Sequence, residues 1–139
     1  MKWICIIILS VFLTGCADTY IVYPVGVPCI YPEYKRYFGV GEDGYQVIVD
    51  HKTFNIPYGF QTDLASVPRP LWSFVSPFDA RLIGASIMHD YLYSGKEGVS
   101  RKFADDVFYN QLVHDGSSKV KAWVFWSGVR MFGWMSFRG

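Results

Sequence analysis

The chain has 139 residues, of which 51% are hydrophobic, 19% aromatic and only 18% charged. This composition excludes intrinsic disorder, because disordered chains are poorer in apolar residues and richer in charge. Thirteen basic residues against twelve acidic ones leave a net charge of +1, which argues against a nucleic-acid partner bound through a basic face. The length suits one domain, and three cysteines are too few for a disulfide-dense scaffold.

Residues 1–15 are predicted to be an export signal rather than part of the fold. Lys2 is followed by an apolar run over residues 3–13, shorter than the ~20 residues that a membrane-spanning helix needs. The run leads into the letters LTGC, which end at Cys16 and resemble the lipobox of bacterial lipoproteins. The resemblance implies cleavage before Cys16 and its acylation with palmitate-type chains. The alternative is an ordinary signal peptide with an incidental cysteine.

The lipobox resemblance also implies a location. Ala17 follows the cysteine, where lipoproteins kept on the inner membrane commonly carry Asp. In a Gram-negative host the protein is therefore expected to be exported and anchored to the outer membrane, on its periplasmic or surface side. Its partners would be membrane lipids, held through the acyl chains of Cys16. Residues 16–37 are expected to form a lipid-anchored tether that becomes an extended segment, ahead of one globular domain over residues 38–139.

The domain begins with predicted strands. Residues 45–49 alternate loosely and are rich in β-branched side chains, and residues 54–56 form a second short run, so the two are expected to pair as a hairpin. The Gly- and Pro-containing residues 59–70 are expected to form a loop. Together with the helices that follow, this pattern predicts an α+β fold. A small N-terminal antiparallel β element would pack on a three-helix core that contains an antiparallel helix pair.

Three helices are predicted after the loop, over residues 79–93, 101–115 and 118 to about 137. Asp79 and Ser100 are good N-caps for the first two. On the second helix Asp105 falls on the apolar face, where a carboxylate is costly unless it is paired. Its neighbour Asp106 is expected to be solvated.

The third helix is apolar nearly all round. One side carries Val120, Trp123, Val124, Ser127, Met131 and Trp134, and the opposite side carries Ala122, Phe125, Trp126, Val129 and Phe137. Core packing is the default interpretation. The alternative is that one side contacts a membrane interface, where Trp is enriched.

Three polar clusters stand out: GFQTDLASVPR at residues 59–69, HDYLY at 89–93 and RKFAD at 101–105. In this order and spacing they resemble a domain-of-unknown-function family (number 1353) that is common in phage and prophage genomes. The resemblance covers most of residues 45–137. It implies a prophage-type protein and no particular activity.

The second and third clusters also resemble the secreted phospholipases A₂, which carry His-Asp and a Tyr on one helix and a further Asp on an antiparallel helix. The resemblance implies that His89 is the general base for water, that Asp105 and Tyr93 are catalytic groups that orient it, and that Asp90 binds calcium. Adjacent helical residues diverge by about 100°, so His89 and Asp90 can serve different partners. Calcium prefers oxygen ligands, and Asp63 is a second candidate ligand.

Two functional hypotheses of different class remain. In the first, the protein is a lipid-anchored hydrolase that acts on lipid esters. In the second, it is a non-catalytic envelope lipoprotein that modifies the host surface or blocks superinfecting phage through an envelope-protein partner. His89 would then be a core histidine satisfied by Asp105. A metal phosphohydrolase that includes His51 is disfavoured, because it needs more helix before His89 than this chain offers.

Four further ionisable residues are not expected to take part in chemistry. Arg69 and Arg101 are expected to be ion-pair partners of the acids rather than substrate clamps. His51 and His114 are expected to lie at the surface.

Overall fold

A computed structural model of the chain describes residues 16–26, 28–32, 38–64 and 79–139. The predicted export signal and Arg69 lie outside these residues. The described strands and helices are β1 Val22–Val25, β2 Ile30–Pro32, β3 Phe38–Val40, β4 Tyr45–Val49, β5 Lys52–Ile56, β6 Gln61–Thr62, α1 Ala80–Tyr93, α2 Arg101–His114 and α3 Lys119–Phe132. A short 3₁₀ turn, Gly133–Met135, follows α3. Within these ranges no helix has the length and apolar character that crossing a membrane requires.

The strands form two small antiparallel sheets, with orders β1-β4-β5 and β2-β3-β6. The predicted hairpin is β4-β5, in which Val49 pairs with Lys52 across a two-residue turn. Asp50 adopts the left-handed backbone conformation in this turn, which Asp tolerates better than most residues. The α+β prediction is confirmed, although the strands make two sheets rather than a single hairpin element.

The segment expected to be a tether contributes to these sheets. β1 runs along β4, with Val22 opposite Val49, and Val22 is buried in the core. β2 pairs with β3 in the second sheet. Val22–Val25 and Ile30–Pro32, which precede residue 38, are therefore strands of the two sheets.

All three helices start at side-chain caps. The side chains of Asp79, Ser100 and Ser118 accept hydrogen bonds from backbone N–H groups in the first turns of α1, α2 and α3, which satisfies donors that a helix start leaves unpaired. The predicted starts are thus confirmed. α3 ends at Phe132, earlier than expected, because the backbone tightens into the 3₁₀ turn.

α1 is the central helix, and most of its residues are buried. It packs against β6 and α2, and α2 in turn packs against β1 and α3. A hydrogen bond from Gln111 of α2 to the Tyr45 hydroxyl of β4 joins the helices to the first sheet. α1 therefore contacts α2 through His89 and Asp105, and it contacts the described part of the first polar cluster, at the end of β6, through Asp90 and Thr62.

Candidate functional site

His89 and Asp105 are in direct contact across the α1–α2 pair. The His89 Nε2 atom lies 2.9 Å from Oδ1 of Asp105. Asp105 is completely buried and His89 is only 8% exposed. The apolar-face positions of both residues, inferred from helical spacing, therefore correspond to a real contact between the two helices.

Asp105 accepts several hydrogen bonds besides that from His89. The Tyr93 hydroxyl, one turn after His89 on α1, donates to the same Oδ1 atom over 2.5 Å. Arg130 of α3 donates to Oδ2 over 2.8 Å, and Arg101 lies 3.7 Å from that oxygen. The expected ion pair of Arg101 is thus present. Arg130 was not predicted from the sequence, because its distance along the chain hides its proximity to α2.

The charge state of Asp105 follows from these partners. Burial alone would raise its pKa, but the hydrogen bonds from His89, Tyr93 and Arg130 outweigh burial and lower it below the ordinary value of 3.8. An ionised carboxylate can only accept hydrogen bonds, so Nε2 of His89 must carry a proton. In a neutral imidazole this leaves Nδ1 as the basic nitrogen. Burial and the bond to Asp105 raise the pKa of Tyr93, so this phenol remains a proton donor.

Aromatic rings hold the imidazole on two sides. The ring centroids of His89 and Tyr93 are 4.0 Å apart, and those of His89 and Phe108 are 4.8 Å apart. Ring packing and the Asp105 hydrogen bond together restrict the imidazole to one orientation, as a general base requires. The same enclosure limits access to the imidazole.

Asp90 points to a different partner from His89, as their divergence on the helix predicts. Its Oδ2 atom accepts a 2.5 Å hydrogen bond from the Thr62 hydroxyl at the end of β6. The backbone N–H and the side chain of Asp63 also contact this carboxyl group. The structure therefore brings together Asp90 and Asp63, the two acids proposed as calcium ligands. Thr62 was overlooked, although it directly precedes Asp63 in the sequence.

This pair of acids is electrostatically unfavourable. Burial raises the pKa of Asp90 well above its ordinary value of 3.8, and the negative charge of the adjacent Asp63 raises it further. The hydrogen bond from Thr62 offsets these effects only in part. Asp90 also lies in the last turn of α1, where the helix dipole disfavours negative charge. Strongly perturbed acids of this kind are concentrated at functional sites.

We expect Asp90→Asn to stabilise the protein at neutral pH when no divalent cation is present. Because the pKa of Asp90 is raised in the folded protein, the native state binds more protons than the unfolded state once the pH exceeds about 4. The stability of the wild type therefore falls as the pH rises through the folded pKa of Asp90. The neutral amide removes that loss and keeps an acceptor for Thr62, so the melting temperature should rise by a few degrees. Thermal unfolding followed by circular dichroism between pH 4 and 8 measures both effects.

Asp63→Asn is the matched control, since Asp63 is exposed and its substitution removes the neighbouring charge while Asp90 stays in place. It should shift stability in the same direction but by less, because burial is the larger cause of the raised pKa. A less stable Asp90→Asn variant at pH 7 would contradict this account.

The prediction that Asp106 is solvated is wrong. Asp106 is fully buried, where Lys102 donates to one oxygen over 2.6 Å and the Trp126 indole donates to the other over 2.8 Å. It lies between α2 and α3, a contact that the sequence pattern of α2 alone does not reveal. Lys102 also bonds to Asp18 over 2.6 Å, which fastens the start of the described chain to α2.

The remaining predicted residues are placed as follows. Cys16, the proposed lipidation site, is exposed, and so are His51 and His114. Among the described residues no three or more His, Cys, Asp or Glu side chains cluster in a way that could hold a metal ion. A cation at Asp63 and Asp90 would therefore depend on further oxygens from the backbone or water.

The fold defines a small α+β domain in which a buried His–Asp contact joins a helix pair and a second contact between acids joins that pair to the end of β6. Residues 42–129 match the family described as "Protein of unknown function (DUF1353)". This match covers more than half of the chain, so the protein belongs to this family, as the three polar clusters indicated. No curated protein and no solved structure matches the chain with significant similarity.

Proposed function

We propose that this protein is a membrane-anchored lipoprotein and a His–Asp hydrolase of lipid esters, similar in its chemistry to phospholipase A₂. The observation that carries the proposal is the His89–Asp105 contact across an antiparallel helix pair, with Tyr93 bonded to the same carboxylate oxygen. Anchoring is supported by the sequence LTGC before an exposed Cys16.

The ionised Asp105 fixes the tautomer of His89 and stabilises the imidazolium that forms during catalysis. Nδ1 of His89 takes a proton from water while the water oxygen attacks the ester carbonyl carbon, which forms a tetrahedral oxyanion. The carbon–oxygen bond to the alcohol then breaks, and the imidazolium returns its proton to the leaving alkoxide. The products are a fatty acid and a lyso-lipid.

Calcium is the proposed cofactor. Asp90 and Asp63 fit this role in two respects: their carboxyl groups are in contact, and the charge repulsion between them would be relieved by a divalent cation. They supply two side-chain ligands, while calcium takes six to eight oxygens, so water and backbone carbonyls would complete the shell. When bound, the cation would supply electrostatic stabilisation of the oxyanion.

Release of fatty acid from phospholipid vesicles tests this function directly. The purified wild-type protein should release fatty acid in the presence of calcium and lose most of this activity when a chelator is added. An Asp90→Asn variant should lose the response to calcium while remaining folded by circular dichroism. The absence of fatty-acid release both with calcium and with chelator would overturn the hydrolase proposal.

The non-catalytic envelope lipoprotein remains a second candidate because of one observation. His89 is enclosed by Tyr93 and Phe108, and Asp105 also fastens α3 through Arg130. Such a network can have a purely structural role, in which it holds the three helices together. Under this hypothesis the wild-type protein has no esterase activity, and substitutions in the network change stability alone.

A further inference from the structure

α3 and the turn after it expose an apolar surface to solvent. We call this surface the C-terminal face, and it consists of Val120, Val124, Met131, Phe132, Trp134 and Met135. Val120 is 75% exposed, and Trp134 and Met135 are each 66% exposed. Val120, Val124, Met131 and Trp134 belong to the stripe predicted for one side of the third helix, whereas Ser127 of that stripe is buried. The opposite side, which includes Ala122 and Trp126, is the one buried against α2.

The charged residues of the segment that carries this face are all basic. From residue 117 onward the chain contains Lys119, Lys121, Arg130 and Arg138 and no acidic residue. Lys121 and Arg130 are paired with Asp79 and Asp105. No carboxylate among the described residues forms an ion pair with Lys119 or Arg138. Apolar side chains bordered by uncompensated cations suit the surface of an anionic bilayer.

The lipidation candidate lies at a chain start that is fixed to the helices. Asp18, two residues after Cys16, is held by Lys102 and by the side chain of Asn110 on α2. Lys102 also binds Asp106, which in turn accepts the indole N–H of Trp126 on α3. The start of the described chain is therefore fastened to α2 and is linked, through Lys102 and Asp106, to the buried side of α3.

The same end of the structure contains the last turn of α3. Arg101, the neighbour of Lys102, donates hydrogen bonds to the carbonyl oxygens of Val129 and Arg130. The beginning of α2 thus lies against the end of α3, immediately before Met131 and Phe132. Cys16 lies two residues before Asp18, whose side chain binds Lys102 at this beginning of α2.

We infer that the C-terminal face rests on an anionic phospholipid bilayer, with Trp134 inserted at the level of the headgroups. Tryptophan favours that zone because its ring is largely apolar and its indole N–H is polar. The inference concerns how the domain sits on the membrane, and it does not depend on whether the protein hydrolyses lipids.

Quenching of tryptophan fluorescence by brominated lipids tests this orientation in the full chain. The protein is reconstituted into phosphatidylglycerol vesicles with or without bromine atoms on the acyl chains. Bromine should quench the emission of Trp134, so the Trp134→Phe variant should lose much of the quenching seen in the wild type. The other tryptophans are common to both proteins, so the difference between them reports Trp134 alone.

Three further variants make the test specific. Tyr58 is 60% exposed and lies in the sheet region, outside the C-terminal face. When Tyr58→Trp is added to the Trp134→Phe background, the additional tryptophan emission should remain unquenched. Val124→Glu should reduce the quenching of Trp134, since it places a charge in the C-terminal face. Lys119→Glu should reduce it more at low salt than at high salt, because the attraction to anionic lipid is screened.

Equal quenching in the wild type and in Trp134→Phe would overturn the inference. A second result would also overturn it: in solution without vesicles, Trp134 is inaccessible to a soluble quencher and the protein has the mass of a dimer. A second copy of the chain would then cover the face. Adequate folding of each variant is checked by circular dichroism, and Trp134→Phe preserves an aromatic ring at an exposed position, so it should fold normally.

Discussion

Asp105→Ala is expected to lower the free energy of unfolding by about 3 kcal/mol. The substitution leaves three donors without their common acceptor, namely His89, Tyr93 and Arg130. Arg130 would then be a partly buried cation without a counterion. Native domains are stable by only about 5–15 kcal/mol, so this loss is a large fraction of the total. Urea unfolding followed by fluorescence measures it.

The control is Asp43→Ala, an exposed acid whose removal should change stability by less than about 0.5 kcal/mol. Asp105→Asn should fall between the two, because it retains the shape and one acceptor oxygen. If Asp105→Ala proved as stable as the control, the network would not hold α1, α2 and α3 together.

The effect of Asp105 should also depend on pH. Its folded pKa is lowered below the ordinary value of 3.8, so the unfolded state binds more protons and the ionised group stabilises the native state above about pH 4. This contribution should disappear as pH falls through the folded pKa. The difference in stability between the wild type and Asp105→Asn should therefore shrink in acid.

His89→Gln is expected to lower the rate of fatty-acid release by about 10²- to 10⁴-fold, the usual contribution of a general base. Glutamine can still donate a hydrogen bond to Asp105, but it has no basic nitrogen that could take a proton from water. The fold should remain, because the carboxylate keeps its other donors. Single-turnover assays on phospholipid vesicles with calcium would measure this loss.

His114→Gln is the matched control, since His114 is exposed and bonds to the adjacent Asp115. It should retain the wild-type rate. Tyr93→Phe should give a smaller loss than His89→Gln, because it removes one of the hydrogen bonds that position the carboxylate.

Asp105→Ala and His89→Gln together separate the functional hypotheses. A folded His89→Gln variant without activity, beside an active wild type, would support the hydrolase. A His89→Gln variant with the wild-type rate would remove His89 from the mechanism. If the wild type releases no fatty acid and both substitutions only destabilise it, the network is structural and the envelope-lipoprotein hypothesis is favoured.

Local features were the most predictable part of this structure. Asp79 and Ser100 begin α1 and α2 because their side chains satisfy exposed N–H groups of the first turn, an interaction within a few residues of the sequence. The β4-β5 hairpin is likewise local. Even the contact of His89 with Asp105 was foreseeable, since a carboxylate on an apolar face needs a partner.

Contacts between distant segments were less predictable. Asp106 was assigned to solvent because its neighbours on α2 are polar, whereas Lys102 and Trp126 compensate for its burial. Arg130 was not connected with Asp105, and the pairing of β1 with β4 was not foreseen. In each case the partner comes from another element, and the sequence pattern of one element carries no information about it.

The sequence by itself therefore determined the α+β class, the helix starts and the position of one histidine among several acids. Periodicity and capping are local, so residues close in sequence are enough to specify them. The tertiary structure decided which carboxylates are buried with partners, that Asp63 meets Asp90, and which side of α3 faces the core. Those outcomes depend on how helices and sheets pack, because burial and electrostatic pairing are properties of surfaces that join only when the chain folds.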